Sequence, residues 1–218
     1  MTTFPGSPKL LKGGIVLIEP ETSNVERIIA LQYNPDNLSR TLQVQDVGGE
    51  GGNRSDALRL SGPPVETLKL DAEIDATDQL EFPDQNRDAV EVGIQPQLAV
   101  LETIIYPASS QILANNQLAR SGILEIVPME TLLTLFIWSK NRILPVRLTD
   151  FSVTEEAFDT NLNPIRAKVS LGMRVLNVDD LGFDHKGGNL FMSYLQNKEQ
   201  LSKKFKGGDL SDFGIGEI

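Results

Sequence analysis

Six apolar residues on successive odd positions, Ile165, Ala167, Val169, Leu171, Met173 and Val175, constrain this chain more than any other feature. Arg166, Lys168, Ser170 and Arg174 take alternate positions between them. A helix repeats about every 3.6 residues, so a period of two predicts a strand with one buried and one solvated face. Val65 to Ala76 carries the same pattern, with Leu68, Leu70, Ala72 and Ile74 alternating with Lys69, Asp71, Glu73 and Asp75. From Pro145 to Thr154 the apolar parity changes, from Val146 and Leu148 to Phe151 and Val153. A one-residue slip of this kind predicts a β-bulge near Thr149 and Asp150.

Other strand signals are shorter. Gly14 to Ile18 is apolar and is stopped by Glu19-Pro20, because proline cannot donate to a ladder. Val25 to Tyr33 and Leu38 to Val47 flank Asn34-Pro35-Asp36-Asn37 and are expected to form a hairpin. Leu132 to Trp138 is apolar on both faces, so its second face is expected inside a sandwich or against a neighbouring chain.

Helical signals are few. Pro96 opens Gln97 to Ile105, where Leu98, Leu101 and Ile105 share a face and Tyr106-Pro107 ends the run. Residues 77–93 are acidic and 108–121 polar, and both are expected as loops. After Leu176 a linker is expected through Asp179, Asp180, Gly187 and Gly188, followed by a helix capped by Asn189 and running to about Phe205. Its amphipathic face holds Leu190, Phe191, Tyr194, Leu195, Leu201 and Phe205 and is read as a partner-docking surface. The expected organisation is an N-terminal arm over 1–12, a mainly-β domain over 13–177 with one flanking helix, and a linker plus C-terminal amphipathic helix over 178–218.

The 218 residues include no cysteine and one histidine, His185, which excludes thiolate metal sites, disulfides and paired-histidine metal sites. Thirty acidic residues against twenty basic ones give a net charge of −10, a poor match for a phosphate backbone. No basic stretch leads into an apolar run at the start, and the most apolar window is seven residues long, far below the roughly 20 that span a membrane. The chain is therefore expected to be made in the cytoplasm, without direct membrane insertion. Gly48, Gly49, Gly51, Gly52 and Arg54 form a glycine-rich excursion; the chain contains neither a P-loop string nor GxGxxG. Asp71, Glu73 and Asp75 on one strand face invite a Mg²⁺ or Ca²⁺ reading, or acid–base work on a glycoside. Alternate carboxylates are also what a solvated strand face presents, and no glycine-turned calcium loop accompanies them. Arg166, Lys168 and Arg174 form a positive strip suited to an acidic protein surface. Strips of opposite sign, with a strand apolar on both faces, suit a ring-forming subunit better than an enzyme; no cofactor is implied.

Two blocks carry a family resemblance: Ala30 to Ser39 (ALQYNPDNLS), and Phe136 to Thr149 (FIWSKNRILPVRLT) continuing through Thr154 to Ala167 (TEEAFDTNLNPIRA). Together they resemble the tube-type baseplate protein of contractile injection systems, which are phage-tail-like particles. The resemblance spans residues 13–177. It implies a tail-tube-like β-barrel or sandwich whose copies close into a homo-hexamer around a channel. It further implies an adaptor between the spike hub and the inner tube, with inner-tube, spike or hub, and baseplate wedge proteins as partners. A repeating inner-tube subunit of the same particle is the alternative, and a carboxylate-dependent hydrolase a more distant one. Family members often carry a C-terminal LysM module. Here about 40 residues follow Leu176, too few for that module, and the 189–205 helix is expected to take its place in docking. Interface candidates are the 48–54 excursion, Asp71, Glu73, Asp75, Trp138, Arg166, Lys168 and Arg174.

Overall fold

The two alternating segments form the centre of the sheet. Strand β4 (Val65–Asp75) and strand β7 (Pro164–Val175) pair antiparallel, with Leu70 opposite Leu171 and Asp75 opposite Arg166. Their inward residues Leu68, Ala167, Val169 and Met173 are fully buried, as the period of two requires. The computed structural model describes residues 11–45, 59–121 and 131–217. Within these, β1 (Gly14–Ile18), β2 (Val25–Ala30), β3 (Leu38–Gln43), β5 (Leu133–Ser139) and β6 (Arg142–Phe158) complete a seven-stranded antiparallel sheet in the order β2-β1-β5-β6-β7-β4-β3. The expected mainly-β class, with a flanking helix and a C-terminal helical extension, is what the chain adopts.

The bulge is where the parity change puts it. Leu148 faces Met173 and Asp150 faces Gly172, so Thr149 is the extra residue. Gly172 makes room for it: a Cβ there would lie 2.6 Å from Asp150 Oδ2.

The expected hairpin is not formed. β2 pairs with β1 and β3 with β4, at opposite ends of the sheet. Asn34 to Asn37 is a crossing link, and turn-forming residues alone cannot tell a hairpin from a crossing. The link shows how the sheet is shaped. Leu31 N–H donates to Gly13 O beside β1, and one residue later the Gln32 amide holds both backbone groups of Asp75 on β4, at 2.9 and 2.7 Å. In a flat sheet β1 and β4 would be four strand spacings, about 19 Å, apart. One residue advances the chain by only about 3.5 Å. The sheet is therefore curled, and β1, β4, β5, β6 and β7 face a common barrel-like core. Its ends, β2 and β3, stay unpaired with each other.

The segment expected as acidic loop is helical, with α1 (Thr77–Leu80), a 3-10 turn at Pro83–Gln85 and α2 (Arg87–Val92). No apolar period announces these turns; tertiary hydrogen bonds hold them. Asn163 donates to Glu91 O, and Ile94 N–H to Pro164 O. Gly93 between them has φ +60°, and a Cβ would lie 2.1 Å from Pro164 O, so only glycine fits. The expected flanking helix is α3 (Gln95–Glu102), which buries Leu98 and Leu101. Residues expected to be irregular form α4 (Ser109–Arg120), a helix that buries no side chain.

The C-terminal linker is also replaced by structure. Asn177 caps α5 (Val178–Leu181) through a capping box, and His185 caps α6 (Lys186–Ser202) by accepting from Gly187 N–H at 3.0 Å. Helix α6 thus begins before the expected cap at Asn189. Gly187 and Gly188 are buried in its first turn, where a Cβ on Gly188 would meet Gly182 O at 2.0 Å. Leu181 and Leu190 cover Leu133, Leu135 and Ile18, so the second face of β5 is covered by the chain's own helices.

Candidate functional site

Four surfaces carry the residues singled out by sequence. The first is the polar face of β4, β6 and β7, a trough of about 930 Å³ rimmed by Tyr33 to Asn37 and lined by Lys69, Asp71, Glu73, Ser152, Lys168 and Ser170. Here the acidic and basic strips are neighbours. In register, Asp71 faces Ser170, Glu73 faces Lys168 and Asp75 faces Arg166. Ser170 Oγ donates to Asp71 at 2.5 Å, Arg166 Nε to Asp75 at 2.7 Å, and Lys168 Nζ lies 3.5 Å from Glu156. Arg174 pairs with Asp180 at 2.8 Å. Of the two strips only Asp75 and Arg166 pair directly with each other; Lys168 turns to Glu156, Arg174 to Asp180 and Asp71 to the Ser170 hydroxyl.

Burial works to raise the Asp75 carboxyl, but the Thr77 hydroxyl and N–H and the Arg166 guanidinium together outweigh it and hold the group below the ordinary aspartate value. A carboxylate held ionised is a poor general acid near neutral pH. Among the described residues no group of three or more His, Asp or Glu side chains is placed to hold a metal ion. The trough is built for charge balance and shape.

The second surface is the pair of sheet edges. β2 exposes Val25 and Ile28, the latter by 70%, and β3 exposes Leu42, with Val44 just beyond it. No described strand covers either edge. The third is Trp138, which is half-buried. It stacks on Phe136 with centroids 5.8 Å apart, and a Cβ on Gly13 would meet its ring at 2.7 Å. One side of the Trp138 ring packs against the core and the remainder stays open to solvent.

The fourth is α6. Phe191 and Tyr194 belong to the core, and Leu190 and Leu195 are half-buried, so this part of the expected docking face is held by its own chain. Leu201 and Phe205 remain exposed. Tyr194 ends in a cluster that sequence inspection missed. Its hydroxyl donates to Glu66 Oε1 at 3.0 Å, Lys198 Nζ reaches Glu66 Oε2 at 3.1 Å, and Arg40 Nε lies 3.7 Å away. Lys198 also sits 4.1 Å above the Tyr194 ring. The four residues come from β3, β4 and α6. Their one sequence signal is Glu66, on the apolar-facing parity of an otherwise regular strand. Gly48, Gly49, Gly51, Gly52 and Arg54 lie outside the described residues. No described helix is long and apolar enough to cross a membrane.

No protein-family model and no curated protein matches the chain. Among solved structures it is similar, at low TM-score, to the tail of an empty gene transfer agent particle determined with C6 symmetry. That match has 14% identity and a TM-score of 0.28, over 75% of this chain and 90% of that one. It is also similar to a chain of the native gene transfer agent virion, at 14% identity and a TM-score of 0.27, over 80% of this chain and 95% of that one.

Proposed function

We propose that this chain is a structural, non-enzymatic subunit of a phage-tail-like contractile injection particle. It forms a homo-hexameric ring that adapts the spike hub to the inner tube. One observation carries the reading: the curled sheet stops short of closing and leaves β2 and β3 as exposed edges bearing Ile28 and Leu42. Edges of this kind invite pairing with another chain. Pairing copy to copy around a six-fold axis satisfies both edges at once. The resemblance carried by residues 30–39 and 136–167 supplies the particle and its partners: inner tube, spike or hub, and baseplate wedge. Assembly takes place in the cytoplasm.

Electron microscopy of the purified chain and of its native particle tests this. Six-fold rings, present once per particle beside the spike, are the expected result. Many stacked rings would make the chain a repeating tube subunit, and absence from any such particle would overturn the proposal.

A further inference from the structure

Beyond Gln200 the chain leaves the body. Every residue from Leu201 to Glu217 is exposed, including Phe205 at 81% and Phe213 at 76%. The segment is nonetheless shaped. Asp209 accepts from Ser211 N–H at 3.1 Å while Asp209 N–H donates to Asp212 at 2.9 Å, closing a capping box around the 3-10 turn Leu210–Phe213. Gly214 ends the turn with φ +69°. Local closure of this kind orders a peptide before it has a partner and lowers the entropy cost of docking. Lys203, Lys204 and Lys206 lie along the same segment, and none has an ion pair or side-chain hydrogen bond.

A surface of opposite charge lies elsewhere on the chain. Residues 78–91, spanning α1 and α2, hold five carboxylates (Asp78, Glu81, Asp84, Asp88 and Glu91) against one cation, Arg87. None of the five is paired through its side chain. Phe82 and Val90 are exposed among them, Phe82 by 57%. Among the described residues no hydrogen bond or ion pair joins this surface to the basic segment of the same molecule.

We propose that residues 201–215 form an arm that docks head-to-tail on the α1–α2 surface of a second copy. Phe205 and Phe213 cover Phe82 and Val90, and the three lysines face the carboxylates. The partner follows from complementarity: Phe205 stands among three free lysines on the arm, whose own Asp209 and Asp212 are engaged in the capping box, and Phe82 and Val90 stand among carboxylates on the other surface, each unsatisfied in the single chain. A contact between two different surfaces of identical copies propagates, and closes when the rotation permits. The inference rests on the ring reading and specifies one of the ring's contacts.

The test uses the full chain in three forms: wild type, an arm reversal (Lys203→Glu, Lys204→Glu, Lys206→Glu) and a patch reversal (Asp84→Lys, Asp88→Lys, Glu91→Lys). All six side chains are exposed, and thermal unfolding by circular dichroism confirms that each variant folds. Sedimentation velocity should show wild-type assemblies, at least tenfold weaker self-association for each reversal alone, and recovery when the two reversed chains are mixed. Net charge alone would predict the opposite for the patch reversal, which makes the chain less acidic. Carbodiimide cross-linking of mixed isotope-labelled and unlabelled wild type should join Lys203, Lys204 or Lys206 of one copy to a carboxylate within 78–91 of another. If both reversals assemble as wild type does, the arm contact is wrong and the ring reading stands. If wild type stays a single copy at every concentration with no intermolecular cross-link, both are overturned.

Discussion

Glu66 is 3% exposed, yet it sits on the apolar side of β4. Its charge is accommodated because Lys198, Arg40 and the Tyr194 hydroxyl converge on it from α6 and β3. Replacing it leaves the two cations partly solvated but strands the buried tyrosine hydroxyl. Glu66→Ala is therefore expected to destabilise the chain by about 2–3 kcal/mol. Glu66→Gln, which keeps an acceptor for Tyr194, should cost less. Urea denaturation should show a lower midpoint at unchanged slope for both variants. Asp75 makes the corresponding statement about pH. Its folded pKa lies below the unfolded value of 3.8. The native state therefore holds the ionised form more strongly than the unfolded chain does. The stabilisation is present above 3.8 and is lost as pH falls through the lowered folded value. An acid titration of stability should show wild type exceeding Asp75→Asn above pH 4 by a margin that disappears on further acidification.

The unpaired edges act as whole elements. Ile28 on β2 lies opposite Val16 on β1 and is largely exposed. Ile28→Lys should leave the single chain's stability within about 0.5 kcal/mol, as for other exposed positions. A charge placed on an edge blocks pairing, so the same variant should fail to form rings by electron microscopy. Intact rings would show that β2 is not an interface. What was legible at this scale follows from what periodicity encodes. β4 and β7 are each covered on one face along most of their length, so alternation names strand and inward face together, and the parity change along β6 names the bulge at Thr149. The β2 and β3 segments were found, but their partners were not, because Asn34 to Asn37 is compatible with either a hairpin or a crossing. α1, α2 and α4 bury at most one residue each and so leave no apolar period. A different reason hid the Glu66 cluster. Its members stand at positions 40, 66, 194 and 198, and only the curl of the sheet and the placing of α6 bring them together.

At the scale of the molecule, three surfaces among the described residues remain unsatisfied in a single copy: the open ends of the curled sheet, the exposed 201–215 arm and the carboxylate-rich α1–α2 surface. If six copies fold and assemble together, stability is coupled to concentration. The assembled state gains over six unfolded chains with every increase in protein. For a six-copy ring in equilibrium with unfolded chains, a tenfold rise in concentration contributes about five-sixths of 1.4 kcal/mol per copy. For a chain of this length that corresponds to an upward shift in Tm of about 2–5 °C per decade of concentration. Differential scanning calorimetry across two decades of protein concentration should show this slope for wild type and a flat line for Ile28→Lys. A flat line for both would mean that each copy is stable by itself and that its open edges are satisfied without neighbours.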